Sequence, residues 1–385
     1  MADRCFKRLF FAAAVLLVPF GAHGEDPDGS VRPDMAAVFS AFKDLQKYMA
    51  SPARFHSAEN ETEISRLLKT MSTRFHKVER LDSKYAKEPG FASTIKITND
   101  MLDDVKNRFS EGNKEYALWR LRASYSYCVS CHARYELSSE YYDPGAPLTG
   151  LNSFEKGEFY MATRQFEKAK DAFLTAVTDP ALKIKRMDAL RNWLVIYVRI
   201  SPDPLEAIHQ INKIRNSSNV SQYEDNELKA WLSSLRRWQN ESKVQIEPLR
   251  KAEHLIAQGV ALDDSIADAK GAVELLRGTA ILHKLMESRG GEGDRNRARI
   301  LYLLGLGYSH LPSFFAYELP EVFLEQCIRD YPGTNESKLA FTLYRELISL
   351  GYTGSGGTRL PADVQLKLKE LYDISHQEPR MRDTV

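Results

Sequence analysis

Five consecutive residues, Cys128-Val129-Ser130-Cys131-His132, constrain this chain more than any other feature. They form a C-x-x-C-H sequence, the spacing at which two cysteines and a histidine attach a c-type haem. The spacing has a geometric cause. Positions three and four apart share one face of a helix. Cys128 and Cys131 can therefore form thioethers to the two vinyl groups of one porphyrin edge, with His132 facing the iron from the same side. A disulfide or redox couple is the competing use of a C-x-x-C pair. The adjacent histidine and the lack of a thioredoxin-like βαβ pattern weigh against it. The expectation is one covalent haem c, held by Cys128 and Cys131, with His132 as the proximal iron ligand.

The beginning of the chain fits a haem attached outside the cytoplasm. Arg4, Lys7 and Arg8 precede an apolar run from Leu9 to Phe20, and Ala22 and Gly24 are small residues at the two positions a signal peptidase reads. The run is short of the about 20 residues of a membrane span, which favours a cleaved signal over residues 1–24 rather than an anchor. The expected location is the periplasm of a Gram-negative bacterium, with no transmembrane segment after cleavage. Lys+Arg total 53 and Asp+Glu total 52. No basic excess exists to gather phosphates, so nucleic acid is not expected as a partner. Of the four cysteines, Cys5 leaves with the signal, two are claimed by haem, and Cys327 reads as a buried small hydrophobe.

Helical periodicity dominates the next segment. One apolar stripe runs through Met35, Phe39, Phe42, Leu45 and Met49, after Asp34 as a cap. A second covers about 61–81 (Ile64, Leu67, Leu68, Met71, Phe75), and a third about 91–109 (Ile95, Ile97, Met101, Leu102, Val105). The fourth helix follows Asn113 as a cap, carries the C-x-x-C-H residues late, and is ended by Asp143-Pro144-Gly145. Four such helices with short polar links make an up-down-up-down bundle.

With that attachment site near the end of helix four, the segment 33–142 resembles the periplasmic four-helix-bundle cytochromes, cytochrome c-prime and its low-spin relatives. The stretch FASTIKITNDMLDDVKNRFSEGNKEYALWRLRASYSYCVSCHARY, including the Glu111-Gly112 turn, is similar to the family's last two helices. The resemblance covers less than a third of the chain.

In such a bundle helix one runs antiparallel to helix four, so His132 lies beside the start of helix one, where Met35 sits. Met49 is about 21 Å further along at about 1.5 Å per residue, out of reach. Met35 also matches the position of the axial methionine in the low-spin members. It is the expected distal ligand; His76, late on helix two, and an open iron site are the alternatives. Met71 and Met101 are expected to pack against the haem or the core.

Asp143 to Pro147 is rich in helix breakers and marks the boundary between a monohaem cytochrome domain at 25–143 and a second domain at 144–385. In the latter, Gly157, Tyr160, Ala169, Phe173, Ala176 and Pro180 fall at tetratricopeptide-repeat spacing, and Gly305, Tyr308, Phe323 and Pro332 repeat the pattern. Helices are expected at 183–199, 204–215, 223–239, 249–259 and 270–287 between them. This half resembles a tetratricopeptide-repeat solenoid in two clear repeats and only in period elsewhere. Such arrays present a concave surface to partner proteins, although Trp193, Trp231 and Trp238 read as packed between helices rather than as anchors. The fold class is all-α.

Together these readings point to a non-enzymatic electron-transfer protein, docked by its second half to a redox partner or periplasmic complex. A five-coordinate gas-binding or sensing haem, and an assembly scaffold with a mainly structural haem, are the alternatives.

Overall fold

A computed structural model describes residues 32–79, 91–133, 148–217, 220–241, 246–264, 268–287, 294–311 and 314–378. The expected signal segment and the link at 143–147 lie outside the described residues. The fold is all-α, with one two-residue hairpin as its only sheet among the described residues.

The first part comprises α1 (Arg32–Met49), a short α2 (Pro52–His56), α3 (Glu61–Glu79), α4 (Phe91–Ser110) and α5 (Lys114–His132). The long helices pack in sequence, α1 on α3, α3 on α4 and α4 on α5, and α1 closes on α5. Their stripes meet in one core containing Phe42, Leu45, Ile64, Leu68, Met101, Val105 and Leu121. The single-turn α2 was not anticipated; Ser51 caps it, and its Phe55 is buried against Phe109. Asp34 lies in the first turn of α1 rather than at its cap, where a carboxylate still favours the helix N-terminus, and it pairs with Arg74 of α3 at 3.0 Å. Asn113 precedes α5 but makes no side-chain capping bond, and α5 ends at His132 with Ala133 in a turn.

The second part adds α6 (Ser153–Ala162), α7 (Phe166–Thr178), α8 (Arg186–Val195), α9 (Pro204–Ser217), α10 (Gln222–Gln239), α11 (Pro248–Leu262), α12 (Ala272–Glu287), α13 (Asp294–Ser309), α14 (Leu319–Asp330), α15 (Asn335–Gly351) and α16 (Ala362–Ser375). Neighbours pair as α6 with α7, α9 with α10, α11 with α12 and α13 with α14. Gly157 explains one close pairing: a Cβ there would lie 2.5 Å from the Phe173 ring. In α13 and α14, Tyr308 stacks on Phe323 at 5.6 Å. Tyr160 is half-buried, so the wedge of the first pair is filled by Phe173 with Phe154 rather than by Tyr160. Trp193 and Trp231 are fully buried, and Trp238 is half-buried under Arg277. The glycine-rich turn at 354–357 is the tip of the hairpin between α15 and α16.

A π-turn, Ile196–Ile200, follows α8. It carries Arg199, which donates from Nη1 to the Tyr308 hydroxyl at 3.2 Å and lies over the Phe315 ring. Arg199 thus fixes the segment between α13 and α14.

Packing crosses the chain boundary near residue 143. Phe159 and Ala162 of α6, and Ala316, belong to the core of the first helices. Conversely, Val129 and Ala133 belong to the core of the second part. Helix α5 is covered on two sides: Leu118, Leu121 and Tyr125 belong to the core of the first helices, and Val129 to the core of the second part.

Candidate functional site

A mostly apolar cavity lies among α1, α3, α4 and α5. Cys128, Cys131 and His132 of α5 form one part of its wall. Met35 and Val38 come from α1; Met71, Phe75 and Val78 from α3; Phe91, Ile95, Met101 and Leu102 from α4. All four long helices therefore contribute, and apart from threonine, serine, tyrosine and the motif residues the lining is apolar. The methionines Met35, Met71 and Met101 line the same space as His132.

The placement of each expected residue follows from helix geometry. Cys128, Cys131 and His132 share one face of α5 because their spacing is three and four. Cys128 and Cys131 are not joined in a disulfide. Burial, followed by the proximity of Cys131, pushes the Cys128 thiol up to about 12, so it is neutral in this apolar setting. Met35 sits in the first turn of α1, at the cavity. Met49 does not line the cavity; it is buried in the core, where its sulfur accepts a 3.7 Å hydrogen bond from Gln46 Nε2.

His76 is not among the lining residues. Its Nε2 lies 2.8 Å from Asp103 Oδ2, and Asp103 also accepts from Ser72 and Lys106 at 2.7 Å. Burial raises the Asp103 carboxyl, but the hydrogen bonds from Lys106, Ser72 and His76 outweigh it and hold the group down at about 2. This cluster ties α3 to α4 and occupies the His76 ring.

Sequence patterns did not reveal the surroundings of His132. Its Nδ1 lies 2.7 Å from the Ala162 carbonyl oxygen at the end of α6. A carbonyl can only accept, so Nδ1 carries the proton and Nε2 keeps its lone pair. Burial and the nearby Arg164 guanidinium lower the imidazole to about 4, against the opposing Ala162 bond, so the ring is neutral near pH 7. A neutral imidazole with one nitrogen bonded to a carbonyl is the state in which histidine binds metals.

Two more contacts from the second part reach the same two turns of α5. The Ala316 N–H donates to Ser130 Oγ at 2.8 Å, and Ser130 Oγ itself donates to Ser126 O at 2.7 Å. The cavity-lining Tyr127 donates its hydroxyl to Glu318 Oε1 at 2.5 Å. Arg120 lies over the rings of Tyr127 and Tyr317 and pairs with Glu318 at 3.4 Å.

Among the described residues, no three of His, Cys, Asp and Glu gather closely enough to cage a bare metal ion. Cys128, Cys131 and His132 are thus spread along a wall rather than converged on a point. Cys327 is buried, and its thiol lies 3.4 Å from the Ala298 carbonyl, as a small core residue should. His283 is buried and bonded to the Tyr308 hydroxyl, and His310 faces Asp263, so neither lines the cavity.

No protein-family model matches the chain, and neither does any curated protein or solved structure. No helix among the described residues is long and apolar enough to cross a membrane.

Proposed function

We propose that the chain is a periplasmic monohaem c-type cytochrome that transfers electrons and does no substrate chemistry of its own. The observation that carries this is the shared cavity: the C-x-x-C-H residues and Met35 line one apolar space among four helices. Its apolar lining suits a flat, hydrophobic macrocycle. A zinc site needs converging ligands, and Cys128, Cys131 and His132 do not converge.

Cys128 and Cys131 would hold the porphyrin as thioethers, and His132 Nε2 and the Met35 sulfur would bind the iron. A bound haem supplies a one-electron couple, and a Met/His pair raises its potential and leaves no site for substrate. What the chain itself does is hold the ring nitrogen protonated at Nδ1, withdraw the site from water with Val38, Phe75, Ile95 and Leu102, and keep His76 engaged by Asp103. On this reading the first helices are a cytochrome c-prime-type bundle, and the rest are tetratricopeptide-like helix pairs. The pairs' surface would dock a redox partner protein or periplasmic complex, as helical arrays do.

The test is an intact mass and a pair of optical spectra of the exported protein. The expected outcome is one covalent haem with low-spin iron in both oxidation states, and a Met35→Ala variant that turns high-spin and binds carbon monoxide. A wild-type protein that is already five-coordinate would point to a gas-binding site instead. A mass without haem would end both readings.

A further inference from the structure

Three hydrogen bonds join the second part of the chain to the last two turns of α5, and one of them is made by His132 itself. We propose that the α6–α7 turn is a positioning element of the haem site: the Ala162 carbonyl orients His132 and, with Arg164 beside it, sets the reduction potential. This rests on the cytochrome function proposed above.

The turn is built to hold that carbonyl in place. Thr163 Oγ1 donates back to the Phe159 carbonyl at 2.7 Å and accepts from Gln165 Nε2 at 2.9 Å. Backbone bonds from Thr163 to Phe159, Arg164 to Met161, and Gln165 to Tyr160 complete it. Arg164 has φ 64°, the left-handed region that a residue with a side chain seldom adopts. Such a conformation persists only where the surroundings enforce it. Thr163 and Gln165 are buried, and so is the Ala162 side chain. Helix α6 is in turn held against the first helices by Phe159, which stacks on Phe42 at 6.0 Å. The carbonyl is therefore fixed relative to α1 as well as α5.

The electrostatic consequences have opposite signs. A hydrogen bond from Nδ1–H makes the other ring nitrogen a stronger donor, which favours the oxidised iron and lowers the potential. The Arg164 cation favours the reduced iron and raises it. Outer partners of this kind change metal affinity about 10–100-fold. A tenfold change in the relative affinity for the two iron states is about 59 mV for a one-electron couple.

Three measurements on the full chain test this. In wild type, the His132 ring N–H should give a hyperfine-shifted proton signal that exchanges slowly with solvent. Thr163→Val, which loosens the turn without a large change in volume, should raise the midpoint potential. Arg164→Gln should lower it. Gly305→Ala, which crowds Leu324 where neither residue lines the cavity, is the control: it should lower stability and leave the potential alone. Fast exchange of the ring proton, or Thr163→Val and Arg164→Gln at the wild-type potential, would overturn the proposal while the covalent haem and its low-spin spectrum stand. A chain without haem would instead overturn the function on which it rests. If Thr163→Val does not fold, Arg164→Gln and the wild-type proton exchange decide the matter.

Discussion

Glu158 offers a quantitative check on how α6 meets α5. It lies one turn before Ala162 on the same helix, so both residues share the face turned toward α5. Burial raises its carboxyl to about 8; Lys185 and Arg122 pull it down, while Glu155 and Asp188 push it up. Tyr125 of α5 feels its charge as well. The unfolded chain releases this proton around the ordinary carboxyl value of 4.5, while the folded chain keeps it to about 8. Between those values the native state binds more protons than the unfolded one, so stability falls as pH rises. The slope from one such group is at most about 1.4 kcal/mol per pH unit. Between pH 5.5 and pH 7 that amounts to roughly 2 kcal/mol. Glu158→Gln keeps the shape and removes the titration. Urea unfolding of both proteins at several pH values isolates the term, because other groups cancel in the difference. The variant should gain on the wild type steadily from pH 5.5 to pH 8. A difference that stays constant with pH would refute the burial of this carboxylate at the α5–α6 contact.

Other expected outcomes test separate parts of the fold. His76→Ala should leave the visible spectrum of the loaded protein unchanged and cost under about 1 kcal/mol in denaturant, since its pair with Asp103 is partly exposed; a changed spectrum would place His76 at the iron. Gly157→Ala sets a Cβ 2.5 Å from Phe173 and should cost about 1–3 kcal/mol of stability by overpacking, read as a lower urea midpoint with an unchanged slope. Glu227→Ala strands Arg191, whose Nε and Nη2 each lie 3.0 Å from that carboxylate in a buried site. That should cost about 3–5 kcal/mol and lower the melting temperature.

Much of the secondary structure was legible because it is local. Stripes such as Phe42, Leu45 and Met49, or Ile95, Met101 and Leu102, repeat at the helical period, and helices formed close to the expected limits. The small residue Gly157 marked a close helix crossing for the same reason: its partner Phe173 lies only one turn-connected helix away. The short α2 was missed because a single turn carries no periodicity.

The surroundings of the site were legible only in part. The spacing of Cys128, Cys131 and His132 determines that they share a face, and that is a property of one helix. It does not determine what faces them. Ala162 is thirty residues from His132, and Ala316 is 186 residues from Ser130. No periodicity carries contacts over such separations. Likewise Met35 and His76 were equally present in the sequence; Asp103, on another helix, holds the imidazole outside the cavity wall.

By itself, then, the sequence determined an all-α chain with a C-x-x-C-H spacing late in a series of amphipathic helices, because these depend on residues three, four and seven apart. Only the tertiary structure decided that Met35 shares the cavity with His132, and that the second half of the chain supplies the carbonyl on which that histidine rests. Those are meetings of surfaces far apart in the chain, fixed by how the helices pack rather than by how each one forms.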